Sequence, residues 1–177
     1  MMKRAGILLA MFLTTAWLTS AVSQEPARDS ETPRPVARHS VEEAQRLAAA
    51  LHSSMHATIQ VVHHRYYRED QGLPIPAAVL KDVFTDIEDE QGIKLRWLVV
   101  EGQAMNVDHK PQGKFENDAV AALKTGKLEF DAVENGVYRR AGAITLSSDC
   151  LKCHVPDRKN TKNRTAGLLI SVPVKAD

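Results

Sequence analysis

The apolar residues of this chain change their spacing at Gly92. Before it they recur every three or four positions. After it strand-like segments predominate, at 93–100, 128–133, 137–146 and 166–174. That change limits the fold more than any other feature, because it asks for helices first and a sheet afterwards. Ser40-Val41-Glu42-Glu43 forms a capping box, so a helix is expected from Ser40 to about Arg68. Leu47, Leu51, Met55, Thr58, Ile59 and Val62 make its apolar face. Gly72 and Pro74 end it. Pro76 opens a second helix, Ala77 to about Glu90, with Val79, Leu80, Val83, Phe84 and Ile87 turned inward and Gly92 as its C-cap. A strand is expected over 93–100, a loop over 102–113 and a short helix over 115–124. Residues 127–146 read as a hairpin, because 128–133 alternate, Asn135-Gly136 suits a type I′ turn and 137–146 return. A last strand covers 166–174. The expected class is α+β: a mostly antiparallel sheet, a long N-terminal helix, and helices packed on one side.

The first residues carry a different message. Lys3 and Arg4 precede an apolar run from Gly6 to Leu18, and Ala21-Val22-Ser23 is a small-x-small cleavage site. Residues 1–23 therefore read as a secretory signal peptide cut near Ser23, which makes the protein periplasmic or otherwise exported. The run is too short to span a bilayer comfortably, so no stable membrane insertion is expected. An uncleaved anchor is the other reading. Residues 24–39, with Pro26, Pro33 and Pro35, read as a disordered linker. Residues 40–177 form a single domain. Without Lys3 and Arg4 the 23 basic residues become 21 against 22 acidic ones, a formal charge of −1. Nothing there recruits nucleic acid or anionic lipid.

Cys150-Leu151-Lys152-Cys153-His154 is C-x-x-C-H, the attachment signature of a c-type haem. The two thiols become thioethers on the porphyrin vinyl groups, and the adjacent imidazole takes the proximal position on the iron. The expected cofactor is one covalent haem c, on Cys150 and Cys153 with His154 as iron ligand. Two other readings use the same residues. Zinc would need both cysteines, the only two in the chain, and two of the seven histidines. A thiol–disulfide pair should start a helix after a strand, yet Val155-Pro156-Asp157-Arg158-Lys159-Asn160 reads as a polar loop.

From about Ser40 to Lys175 the chain resembles the PAS-like c-type haem domains, a family labelled as of unknown function. The resemblance rests on export, a long first helix and the late Cys-Leu-Lys-Cys-His. Tyr138-Arg139-Arg140-Ala141-Gly142-Ala143-Ile144 precedes that motif and Ala166-Gly167-Leu168-Leu169-Ile170-Ser171-Val172-Pro173 follows it. It implies a haem-binding sensory fold. Similar domains also occur fused to receptors and histidine kinases; this chain has no transmitter module, so a signal would pass to a separate protein. Members of the family can place a cysteine on the first helix as second axial ligand, and this helix has none.

Substitutes for that cysteine cluster on the same helix: His52, Met55, His56, His63 and His64. His52, His56 and His63 share one stripe at the border of the apolar face. His63 lies nearest the family's cysteine and is the expected distal ligand, with His56 the next candidate. Met55 is more often core filler. His109 is a weaker candidate, since the plain reading of a loop histidine is an exposed one. Tyr66, Tyr67, Arg68, Arg96, Arg139 and Arg140 can partner haem propionates or be ordinary surface residues. Asp86, Glu88, Asp89 and Glu90 read as a solvated helix end.

The expected function is that of a mono-haem c-type cytochrome-like protein sensing redox state or a small ligand. The alternative is a periplasmic electron carrier without a sensory role. An enzyme would need a distal base with a charge-stabilising group; no such pair is marked, and no catalytic residue is assigned. Expected partners are a redox protein or a separate signalling protein, and the long first helix is a candidate for pairing with a second copy.

Overall fold

Ser40 caps the first helix as the capping box requires. Its hydroxyl accepts from the Glu43 N–H at 3.2 Å, and the Glu43 carboxylate accepts from the Ser40 N–H at 2.8 Å. The computed structural model describes residues 38–104 and 106–175. The expected signal peptide 1–23 and nearly all of the linker 24–39 lie outside them. α1 runs Val41–Arg65, three residues short of the expected end. α2 is Pro76–Gln91, β1 Lys94–Leu98, α3 Gly113–Lys124, β2 Glu129–Glu134, β3 Val137–Leu146 and β4 Arg164–Pro173. A 3-10 turn covers Val107–His109 inside the expected loop. The C-x-x-C-H segment is one helical turn, α4, Leu151–His154. Among the described residues no helix is long and apolar enough to cross a membrane.

The four strands form one antiparallel sheet in the order β1-β4-β3-β2. Asn135 (φ 53°) and Gly136 (φ 72°) make the turn between β2 and β3, with the positive φ at both central positions that a type I′ turn demands. The fold is α+β and PAS-like, as the class was expected to be.

The expectation of helices on one side does not hold. Strand residues alternate between two cores. Leu95, Trp97, Tyr138, Ile144, Leu168, Ile170 and Val172 pack under α1 and α2. Leu98, Ala141 and Leu169 pack under α3 on the opposite face, with Phe115, Ala119 and Leu123. The uninterrupted run Leu168-Leu169-Ile170 belongs to a strand buried on both faces, which asks for cover twice.

Two helix-face assignments also change. Ala44 and Ala48, both fully buried, press α1 onto the sheet, while Leu47, Leu51 and Met55 pack at the margin and Thr58 faces solvent. Small side chains let the helix approach closely where leucine would hold it off. On α2, Phe84 packs at a tilt against Trp97, ring centres 5.0 Å apart, and Trp97 Nε1 donates to the Ala77 carbonyl at 2.9 Å. With Ala77, Leu80, Phe84 and Ile87 on the sheet side, Val79 and Val83 are left exposed.

His39, assigned above to the linker, joins the domain. Its N–H donates to the Pro173 carbonyl at 3.1 Å, and its carbonyl accepts from the Lys175 N–H at 2.9 Å.

Candidate functional site

The C-x-x-C-H turn is shaped locally by backbone bonds. The Leu151 N–H donates to Ser147, His154 to Cys150 and Val155 to Leu151, at 3.0–3.1 Å. Leu151, fully buried, pins the turn into the fold. Cys150 and Cys153 stay half-buried and free, and the Ser147 hydroxyl lies 3.6 Å from the Cys150 sulfur. One helical turn thus turns two thiols and an imidazole toward the same space.

That space is an apolar cavity of about 280 Å³ at one end of the sheet. Ile59 and His63 of α1, Ala77 of α2, Trp97 and Leu98 of β1, Ile144 and Leu146 of β3, and Ala166 of β4 form its walls. Cys150, Cys153 and His154 line it together with His109. A polar groove outside shares His63, Tyr67 and Cys153 with it and adds His64, Arg68, Asp70, Asp149 and Lys152.

The loop after β1 closes the cavity over His154. Gly102 sits at φ +85°, where an added methyl would meet the His154 carbonyl oxygen at 2.6 Å. Only glycine lets this backbone come so near. The Gln103 N–H then donates to that oxygen at 3.0 Å, and Glu101 is tied to Thr165 at the start of β4 by two bonds. Neither Gly102 nor Gln103 stands out in the sequence; the Glu101-Gly102 step marks a turn but not what the turn approaches.

The histidines of α1 divide. His52 Nε2 bonds the Ala143 carbonyl at 3.1 Å, in room left by Gly142, and His56 Nε2 accepts from the Thr145 N–H at 3.2 Å. Both are turned to the β3 backbone, and neither lines the cavity. His63 does line it, resting on Tyr67 with ring centres 5.1 Å apart. His64 points outward, 3.6 Å from Asp149. Met55 packs against the core.

The arginines divide as well. Arg96 and Arg139 both pair with the buried Glu116, Arg139 at 2.9 Å. Arg139 also stacks on Phe115, and Arg140 pairs with Glu129. None of these three lines the cavity, whereas Arg68 lies in the outer groove.

Burial pushes His154 below the ordinary histidine range, and nearby His63 pushes it the same way. Burial also lowers His63, with Asp149 opposing and Lys152 adding to the effect. His109 is lowered by burial first, then by Lys81 and Arg96. The environment thus favours neutral imidazoles, the form that binds metal. Among the described residues no three His, Cys, Asp or Glu side chains converge closely enough to hold an ion. The donors stand around the cavity instead, an arrangement suited to a flat apolar group bearing its own metal.

A family model described as Tll0287-like matches residues 37–168. No curated protein matches the chain. Among solved structures, the crystal structure of the cyanobacterial heme-protein Tll0287 is similar, with a TM-score of 0.56 and 14% identity, over 77% of this chain and 98% of that one. At that identity the likeness is one of fold.

Proposed function

The chain belongs to the Tll0287-like family, and from that membership we propose that it is a haem protein with a sensory or redox role. Cys150 and Cys153 carry one haem by thioether bonds, and His154 binds its iron. One observation carries this reading: both thiols and the imidazole of the C-x-x-C-H turn line a single apolar cavity. The residues fit the group. The walls are apolar where a porphyrin face would press, and the outer groove offers Arg68 and Lys152 for its carboxylates. The bound haem supplies one-electron chemistry and, where a coordination position is free, affinity for diatomic gases.

What the chain's own residues do follows from their places. Leu151 and the Gln103–His154 bond hold the ligand turn still. The apolar walls exclude water. His63, from the end of α1, is the second imidazole of this reading. If it binds firmly, an electron-transfer carrier is favoured over a gas sensor; His63 in the cavity wall is the observation behind that alternative. The protein in this reading is exported, is not an enzyme, passes its signal or electron to a separate protein, and pairs with a second copy through α1.

The test is the mature protein made in a host that attaches c-type haem. Mass spectrometry should show one added haem, lost in Cys150→Ser/Cys153→Ser. An unmodified mass under those conditions refutes the reading. A reduced spectrum unchanged by carbon monoxide favours electron transfer or redox sensing; a large shift favours ligand sensing.

A further inference from the structure

His109 has no task in the reading above. Its Nε2 is one of two buried side-chain polar atoms without a hydrogen-bond partner among the described residues; the other is Nε of Arg140. An orphaned buried nitrogen is costly to keep, so a position that retains one asks for a partner. Other atoms of the residue line the cavity, so a turn of the ring would bring this nitrogen to it.

The backbone that carries it is braced. The Val99 N–H donates to the His109 carbonyl at 2.8 Å, and the His109 N–H donates to Asn106 at 3.1 Å. The Asp108 N–H donates to Asn106 Oδ1 at 2.9 Å. Arg96 donates to the carbonyls of Asp108 and Lys110 on either side, and is itself held by Glu116. The segment that carries the ring is thus fixed before any ligand binds. His63 is mounted differently, at the last turn of α1, reaching both the cavity and the groove outside it.

We propose that His109 is a second axial ligand of this site, able to take the iron's second axial position in competition with His63. This rests on the haem reading. Binding uses the Nε2 lone pair, so the ring proton stays on Nδ1. The iron–nitrogen bond to His63 breaks as the bond to His109 forms, and no electron or proton leaves the protein. Two imidazoles for one position make the coordination a population, shifted by whatever moves the end of α1.

The experiment uses the full haem-bearing protein. Ferric visible and low-temperature electron paramagnetic resonance spectra are recorded for the wild type, His63→Ala, His63→Ala/His109→Ala and His63→Ala/His109→Gln. His63→Ala should stay mostly low-spin with altered g values. Both double variants should turn high-spin and bind carbon monoxide at least about tenfold more tightly. The glutamine variant keeps most of the volume and carries the test if alanine unsettles the loop. A fully high-spin His63→Ala overturns the proposal, as does a double variant with the low-spin signal of His63→Ala, or a high-spin wild type. In those cases attached haem leaves the broader reading standing; its absence from the wild type removes both.

Discussion

Replacing Gly102 by alanine is the sharpest test of how the cavity is closed. The residue holds φ +85°, and a methyl there would lie 2.6 Å from the His154 carbonyl oxygen and 3.0 Å from Val155 Cγ2. A backbone oxygen cannot rotate away, so three costs combine. The left-handed conformation costs about 1–2 kcal/mol. Overlap with a fixed backbone costs about 1–3 kcal/mol. Loss of the Gln103–His154 bond costs about 0.5–1.5 kcal/mol. The loop relieves the overlap by giving up the bond, so the last two do not add fully, and the total is about 3 kcal/mol. Gly72→Ala is the control. It shares the left-handed conformation, at φ +64°, but a methyl there meets nothing within 4 Å. It should lose only about 1 kcal/mol. With a slope of about 2 kcal/mol per M urea for a domain of this size, the unfolding midpoint falls by about 1.5 M for Gly102→Ala and about 0.5 M for Gly72→Ala. Fluorescence of buried Trp97 reports the transition. Equal midpoints for the two variants would refute the reasoning, because only the contact with His154 separates them.

Other outcomes follow from the same geometry. Glu116→Gln should cost about 1–3 kcal/mol in urea unfolding, since it removes the counter-charge of Arg96 and Arg139 while leaving their carbonyl and ring partners; a change under about 0.5 kcal/mol would show that the carboxylate is not their counter-charge. Burial holds His52 below 6.5, the ordinary histidine value. The unfolded chain therefore binds the proton more readily, and this part of the stability is complete above about pH 7 and lost as pH falls through the folded value. Urea midpoints of the haem-free protein should drop as pH falls below about 7, less steeply in His52→Asn; a flat profile in the wild type would contradict this. Val79→Ser/Val83→Ser should change stability by no more than about 0.5 kcal/mol, and a loss like that of a core deletion would put these side chains back inside.

Cys150, Cys153 and His154 are neighbours in sequence, so their meeting at one wall was legible at once. His63 was legible as a member of a stripe, but the stripe did not separate it from His52 and His56. All three share an azimuth on α1; they differ in height. At 1.5 Å per residue, His52 lies about 16 Å from His63 along the axis. One height faces the β3 backbone and the other faces the cavity, which depends on where the sheet stops. His109 reads as a loop histidine because nothing local says that Arg96, in a strand twelve residues before Asp108, braces its turn. Gly102 reads as a turn glycine until the approach of His154 is known. The second cover of the sheet is foreshadowed by the uninterrupted run Leu168-Leu169-Ile170, whereas the hairpin's alternation points to one covered face. Val79 and Val83 show the limit of periodicity: a helix with five apolar positions in nine residues does not announce which ones it spends on the core.

α1 begins beside His39, where the chain enters the domain, and ends at His63 in the cavity wall. Its 25 residues make a rod about 37 Å long. Ala44 and Ala48, with no exposed surface, clamp it near its start, and His52, His56 and Gln60 lash its middle to the β3 backbone. The rod is thus splinted for about 29 Å from Val41 to Gln60. Only the last turn, which carries His63, extends past the splint.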